Sequence, residues 1–297
     1  MHIFMTGASG WIGSAVVPEL LAAGHQVRGI ARSAMSAARL RAAGVDVVEA
    51  DLDNLDVLGA QAERADAVLH LANKHDWSNP AESNRAERAS VQTFLTALEG
   101  SGKPFLLAAG TARPIGRPLT ELDDNPFSAA DSPRGGSEGL AMSYADRGVR
   151  AVSLRFAPTV HGTGGDHGFI SLIARAARER GASAYVGDGT NRWTAVNRLD
   201  AARLVALALA RAEAGTAVHA VAEEAVTSRS IAEAVGAALG VPVISVPAEG
   251  AVEHFGWIGN FFALDMPASA QLTRERFGWE PTHPSLAEDI AAGAYTV

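Results

Sequence analysis

Cysteine is absent from all 297 residues. That excludes disulfides, thiolate nucleophiles and cysteine-ligated metal centres, and it accords with a reducing compartment, so a cytoplasmic location is expected. Lysine is almost as scarce, at Lys74 and Lys103 alone, so nearly all the positive charge is arginine. With a formal net charge of −8, the chain lacks the clustered basic surface that neutralises phosphates, and no nucleic-acid partner is expected. The longest apolar run, LVALALA, falls far short of the roughly 20 residues that a membrane span requires. The opening MHIFMTGASG has no basic segment leading into a long apolar one, so neither a secretory leader nor a membrane partner is expected. Histidines occur, but without HExxH spacing on a helix and without thiolates to join them, so no metal site is expected.

The chain is nevertheless apolar enough, at 47% hydrophobic residues, to bury a large core in one globular unit with two lobes. In the first half, short β-type runs alternate with alanine-rich helical patterns: HIFMT, WIGSAVVPELLAAG, QVRGIA, AMSAARLRAAG, VDVVEA, ADAVLHLA, a long helix from about 81 to 100, and KPFLLAA. Strands that alternate with helices require right-handed crossovers and hence a parallel sheet, so the fold class is α/β with a doubly wound sheet. A helix around 138 to 147 and the strand VRAVSLRF follow. Beyond them PTVHGTGGDHG reads as a loop, and helices near 169–180, 200–212, 230–239 and 286–292 alternate with short strands. Pro18 falls inside the first helix, where it removes the amide that would bond the Ser14 carbonyl and predicts a local bend.

The segment TGASGWIG follows the first strand and opens the first helix, the context a phosphate-binding glycine loop requires. Gly7 would make the tight turn, Gly10 would let a pyrophosphate approach the backbone, and Gly13 would let helix pack closely on strand. Ser9, Trp11 and Ile12 complete the loop, whose amides and helix N-terminus would face the phosphates. The second strand then selects the dinucleotide, because an acidic residue at its end would hold the ribose hydroxyls of NAD and repel a 2′-phosphate. Here QVRGIARS ends in Arg32 and Ser33. A planar guanidinium grips a phosphate with two donors and a serine adds another, so NADP(H) is expected in preference to NAD(H).

Taken in order, TGASGWIG, EADLDN, VLHLA, LLAAGTARPIG, LRFAPTVHG, NRLDAARLVALAL and FGWEPTHPSL give the chain a nearly end-to-end resemblance to the extended short-chain dehydrogenase/reductase family, the NAD(P)-dependent sugar epimerases and dehydratases. The resemblance implies a Rossmann domain over residues 1–160, to which 193–213 return, and a smaller C-terminal substrate lobe from 161–192 and 214–297. It implies that Asp51 and Leu52 flank the adenine, that Leu71 and Ala72 line the cofactor, and that Pro158, Thr159 and Val160 lie by the nicotinamide. It also implies a homodimer built on two long helices per subunit, here those near 81–100 and 137–147.

In that family a Ser or Thr, a Tyr and a Lys move the proton, with the lysine lowering the tyrosine pKa. Thr111 matches the hydroxyl position. Counting back from Ser137 and Glu138 puts Arg134 at the tyrosine position and Glu138 at the lysine position, and none of Tyr144, Tyr185 and Tyr295 has a lysine four residues later. PRGGSEG reads equally as the cap and first turn of a helix. As a functional group, Arg134 would bind a carboxylate or phosphate of the substrate, or polarise its carbonyl, but a pKa above about 12 bars it from donating a proton. The titratable groups left near ligand-facing loops are His75, His161 and His167, each of which also fits a structural or surface role. Thr111, His75 and His161 are the catalytic candidates, and Arg134, Trp77, His167 and Trp193 the substrate contacts, although the two tryptophans fit core packing as well. The sum points to an NADP-dependent oxidoreductase that delivers hydride to a small-molecule carbonyl or imine. Two alternatives stand beside it: a catalytically silent dinucleotide-binding sensor, and a nucleotide-sugar epimerase or dehydratase, which would first have to oxidise an alcohol without the usual base.

Overall fold

The computed structural model describes residues 1–74, 76 and 78–296. In chain order the elements are β1 (His2–Thr6), α1 (Gly13–Ala22), β2 (Gln26–Ala31), α2 (Ala34–Ala42), β3 (Asp46–Glu49), α3 (Leu55–Arg64), β4 (Ala67–His70), α4 (Pro80–Leu98), β5 (Pro104–Gly110), α5 (Ser137–Met142), β6 (Arg150–Phe156), β7 (Thr159–His161), α6 (Phe169–Arg180), β8 (Ser183–Val186), β9 (Arg192–Asn197), α7 (Arg198–Arg211), β10 (Thr216–Ala220), β11 (Glu223–Thr227), α8 (Ser228–Leu239), β12 (Val243–Val246), α9 (Ala251–Phe255), α10 (Ile258–Phe262), α11 (Gln271–Phe277) and α12 (Leu286–Ala291). They divide into two compact units: Met1–Ala109 with Leu122–Leu154 and Ala202–Val218, and Gly110–Glu121 with Arg155–Ala201 and His219–Val297. No helix among the described residues is long and apolar enough to cross a membrane.

A seven-stranded sheet in the order β3-β2-β1-β4-β5-β6-β10 organises the first unit. Its pairings β3–β2, β2–β1, β1–β4 and β4–β5 are parallel, with Ile3 opposite Val27 on one side and Ala67 on the other. This is a Rossmann-like α/β sheet. Ile3, Phe4 and Met5 of β1 are all buried, as a strand covered by helices on both faces must be. The covering helix α4 is capped by Asn79, whose side chain accepts the Glu82 amide, and starts with Pro80, which has no amide to leave unpaired. Its buried stripe Val91, Phe94, Leu95 and Leu98 packs on the sheet, and Phe94 meets the rings of Phe4 and Phe105 at 6.1 and 5.9 Å. The strand order turns back at β1, between β2 and β4, and the carboxyl ends of strands at such a point form the ligand crevice of open parallel sheets. Those ends are Thr6 and His70.

Two local expectations change. The segment 55–64, where no element was expected, forms α3, whose Leu58 and Ala62 are buried and whose Leu55 and Val57 pack against the same core. The single helix expected around 138–147 is instead α5, which stops at Met142, followed by a separate 3₁₀ turn at Ala145–Arg147. There the Ser143 hydroxyl donates to the Leu140 carbonyl, and Tyr144 turns into the core, its hydroxyl accepting Gln92 Nε2 at 2.6 Å. Pro18 lies inside α1, which spans Gly13–Ala22.

The second unit holds a three-stranded sheet, β11-β9-β7, with β9 antiparallel to β11 and parallel to β7, and a parallel pair, β12-β8. Its apolar core gathers Ile173, Trp193, Phe255, Phe262 and Met266. It also buries a polar group. His219 is 0% exposed; its Nδ1 donates to the Ser269 carbonyl at 2.7 Å, and Nε2 faces Arg155 Nη1 at 3.5 Å. Burial, only partly opposed by the Glu121 carboxylate, lowers its pKa to about 4. The unfolded chain takes up that proton near the ordinary value of 6.5 and the folded chain does not until about 4, so stability present above pH 6.5 is lost as pH falls toward 4. The shift corresponds to about 3 kcal/mol. Urea unfolding at pH 7 and pH 4.5 should therefore show a loss of about 2 to 3 kcal/mol in the parent that His219→Gln largely lacks. Equal losses in the two proteins would show that His219 does not carry the acid sensitivity.

Candidate functional site

At the end of β1 the chain turns through Gly7, whose φ of +73° is the left-handed conformation that favours glycine. A Cβ there would lie 2.7 Å from Ala72 N and Leu71 C, so the loop rests directly on the end of β4. A Cβ on Gly13 would sit 2.0 Å from the Gly7 carbonyl oxygen, which fixes the start of α1 against the loop, and one on Gly10 would meet the same oxygen at 3.2 Å. The Gly10 amide donates to that oxygen at 3.0 Å. Thr6 ties the two strand ends together: its carbonyl accepts the Leu71 amide and its hydroxyl accepts the Ala72 amide, both at 3.2 Å. Ser9, Trp11 and Ile12 are half-buried along this loop. Helix α1 begins with no side-chain cap and no acidic residue in its first turn, whereas α2, α4, α8 and α12 are each capped by a side chain. An uncapped helix N-terminus beside a glycine turn is an anion-binding arrangement.

Arg32, just past β2, is exposed and makes no hydrogen bond or ion pair among the described residues. Ser33 caps α2, its Oγ accepting the Ser36 amide at 3.2 Å while the Ser36 hydroxyl accepts the Ser33 amide. Past β3, Asp51 is exposed and forms a tight turn in which its Oδ1 accepts the Asp53 amide at 2.9 Å, while Leu52 is buried and its carbonyl accepts the Ser90 hydroxyl at 3.0 Å. Leu71 and Ala72 are half-buried at the end of β4. The loop, Arg32, Asp51 and the end of β4 thus all lie at carboxyl ends of strands of one sheet.

A buried polar chain begins at the same edge. The Thr6 hydroxyl and His70 Nδ1 share a hydrogen bond at 2.7 Å, and His70 Nε2 lies 3.6 Å from Glu87 Oε2. Glu87, from the middle of α4, is fully buried; it also accepts Asn73 Nδ2 at 3.1 Å and Arg134 Nη2 at 2.6 Å. Burial pushes the Glu87 carboxyl up, but the Arg134 guanidinium and His70 outweigh it and hold the group at about 2, so it is a carboxylate at neutral pH. Arg134 is therefore not the unpaired cation that its sequence suggests. Glu138, at the position expected for lysine, is also buried, accepting the Ser153 hydroxyl at 2.8 Å and a bond from Asn125.

In the second unit Thr111 is fully buried, its amide donating to the Phe156 carbonyl at 2.9 Å and its Oγ1 lying 3.1 Å from Thr194 Oγ1. Pro158 and Val160 are half-buried, and Thr159 is buried with no partner for its hydroxyl among the described residues. His161 is buried, with Nδ1 2.6 Å from Asp289 Oδ2 and Nε2 3.6 Å from Glu223 Oε1. His167 is exposed. Trp193 is 1% exposed and meets Phe169, Phe261 and Phe262 edge to face, so its indole is core rather than an open pocket wall. His75 and Trp77 lie outside the described residues. Sequence reasoning missed His70, Glu87 and Asp289; the helical repeat of α4 alone carried a signal, because it sets Glu87 on the apolar stripe.

The sequence profile described as the NAD dependent epimerase/dehydratase family matches residues 3–222. An uncharacterized protein of Schizosaccharomyces pombe is 42% identical over 300 residues, covering 99% of this chain and 100% of that protein. The 2′-dehydrokanamycin reductase of Streptomyces kanamyceticus is 31% identical over 269 residues, covering 86% of this chain and 72% of the reductase. Among solved structures, the dTDP-glucose 4,6-dehydratase of Streptomyces venezuelae superposes with a TM-score of 0.77 at 21% identity, over 98% of this chain and 95% of that one, which speaks to the fold.

Since the added methyl would meet a backbone carbonyl and not a flexible side chain, Gly13→Ala should cost about 1 to 3 kcal/mol and abolish dinucleotide binding. Thermal melting with and without NADPH reads both. An unchanged melting temperature would show that the α1 start is free to move.

Proposed function

The chain belongs to the NAD dependent epimerase/dehydratase family, and on that premise we propose that it is an NADP(H)-dependent oxidoreductase acting on a small carbonyl or imine. The observation that carries this reading is Arg32, a guanidinium without a partner among the described residues, standing at the end of β2 where an acidic residue would select NAD. The residues present fit a dinucleotide. Gly7, Gly10 and Gly13 leave a cradle that side chains would fill, and the uncapped start of α1 offers amides to a pyrophosphate. Asp51, Leu52, Leu71 and Ala72 lie at the same strand ends as adenine and ribose contacts, and Arg32 would fork the 2′-phosphate. When bound, the dinucleotide supplies the hydride. Thr111 is the hydroxyl we assign to orienting the substrate heteroatom, in exchange for its bond with Thr194. A reductase among the relatives at 31% identity supports reduction. Reduction is favoured over epimerisation because no tyrosine is followed four residues on by lysine, and oxidising an alcohol needs a base that reducing a carbonyl does not.

NADPH should bind more tightly than NADH, and Arg32→Ala should remove about 1 to 3 kcal/mol of that preference, the range of charge-assisted hydrogen bonds. Titration by nicotinamide fluorescence measures both affinities. Equal affinities for the two dinucleotides in the parent would refute the assignment.

A further inference from the structure

Arg134 stands where its backbone does not favour it. With φ of 56° it is the one non-glycine residue in the left-handed region among the described residues, and Gly135 and Gly136 continue the same conformation at +62° each. Those two positions need glycine on steric grounds: a Cβ on Gly135 would meet the Asn84 carbonyl oxygen at 2.4 Å, and one on Gly136 the Ser128 carbonyl oxygen at 2.4 Å. No such demand is met by arginine, so the strained position is occupied for the sake of its side chain. Helix α4 holds the turn from three residues on one face: Asn84 Oδ1 accepts the Arg134 amide at 2.9 Å, Glu87 takes its guanidinium, and Arg88 Nη1 donates to the Gly135 carbonyl at 2.7 Å.

The guanidinium spends one of its five N–H donors on Glu87. Nε and Nη1 have no partner among the described residues, and the side chain is 36% exposed while Glu87 is 1% exposed. The open donors lie at a definite place in the fold. Glu87 reaches the last residue of β4, His70, which reaches the last residue of β1, Thr6, so Arg134 is anchored at the carboxyl edge of the two strands between which the sheet order turns back. Its charge is cancelled there by a carboxylate that stays ionised throughout the neutral range. A neutral ion pair with open donors offers little to an anion and much to an uncharged oxygen on which negative charge develops during reaction.

We propose that Arg134 is the hydrogen-bond donor to the oxygen of an uncharged carbonyl substrate, and that Glu87 is its positioning residue, aiming the guanidinium and cancelling its charge so that anionic compounds are not selected. This rests on the reductase reading above. In the step, the carbonyl carbon takes a hydride from the reduced dinucleotide, which is oxidised; the C=O electron pair moves to oxygen; the resulting alkoxide is held by Arg134 and takes its proton from water. Arg134 gives up no proton.

Glu87→Gln keeps an acceptor but uncovers the positive charge. Benzoate binding, measured by calorimetry with and without NADPH, should therefore strengthen at least about tenfold over the parent, while turnover on uncharged aldehydes falls about 10- to 100-fold with little change in KM. A merely structural Glu87 would not create an anion site, and unchanged benzoate affinity overturns the role given to it. Arg134→Ala leaves Glu87 in place as a second probe should the glutamine variant fold poorly. Its turnover should fall by a similar factor and recover on addition of guanidinium chloride at concentrations that leave the melting temperature unchanged, with no recovery in the Arg134→Ala, Glu87→Ala double variant. Retained turnover in Arg134→Ala, or a parallel loss of NADPH affinity that makes Arg134 a cofactor contact, overturns the proposal. If the parent binds no NADPH the reductase reading itself fails, an outcome told apart by the benzoate arm, which needs no dinucleotide.

Discussion

Backbone approaching backbone without room for a methyl group is the constraint on which the first unit depends. Gly7 lies against the end of β4 and Gly13 lies against the carbonyl of Gly7, so β1, β4 and α1 meet at one point that only glycine allows. Thr6 fastens the same junction with its carbonyl and its hydroxyl. From this junction follow the direction in which α1 presents its uncapped amides and the placement of the ends of β2, β3 and β4 along one edge of a parallel sheet. Arg32 gains its meaning from that edge. The same guanidinium at the opposite end of β2 would be an ordinary solvated charge.

The junction also anchors a second set of charges. Thr6, His70, Glu87 and Arg134 run as one chain of contacts from the glycine loop to a left-handed turn bolted onto α4. A buried carboxylate without a partner would be costly, and one held by a guanidinium and the Asn73 amide is not. The arrangement explains how an arginine can occupy the position that the family resemblance gives to tyrosine without bringing an uncompensated charge to a ligand-binding edge. It also separates two roles that one cation might have been asked to play: Arg32 is open and charged, suited to a phosphate, and Arg134 is paired and neutral overall, suited to an uncharged oxygen.

The legible parts of this fold are those whose cause is local. Each strand of the first half announces itself by a short apolar run, and TGASGWIG carries in eight letters both the turn and the helix start that the structure builds from it. Helix α3 was within reach and went unread, since Leu55, Val57, Leu58 and Ala62 give it an apolar face that packs on the core. The helix expected beyond Ser137 is cut short by a serine that bonds its own backbone, a competition that no apolar count reveals. Glu87 was within reach: with Val91, Phe94 and Leu98 it shares one face of α4, and a glutamate on an apolar stripe asks for a buried cation. Which cation answered was not, since Arg134 lies 47 residues away, just as the Glu121 contact that closes on Thr273 spans 152. Trp193 shows the opposite failure: an aromatic residue in a promising segment is consumed by packing against three other rings.

The claim at the centre of this account is that the glycine junction holds a dinucleotide whose 2′-phosphate is read by Arg32. The ³¹P resonance of that phosphate reports on it directly, because NADP⁺ carries it apart from the two phosphates of the pyrophosphate. In complex with the parent protein the 2′-phosphate signal should move from its free position and stay that of the dianion to lower pH than in free NADP⁺, and in complex with the Arg32→Ala protein it should titrate as in free solution. A 2′-phosphate that titrates freely in the parent complex while the pyrophosphate signals show the dinucleotide bound would contradict the account.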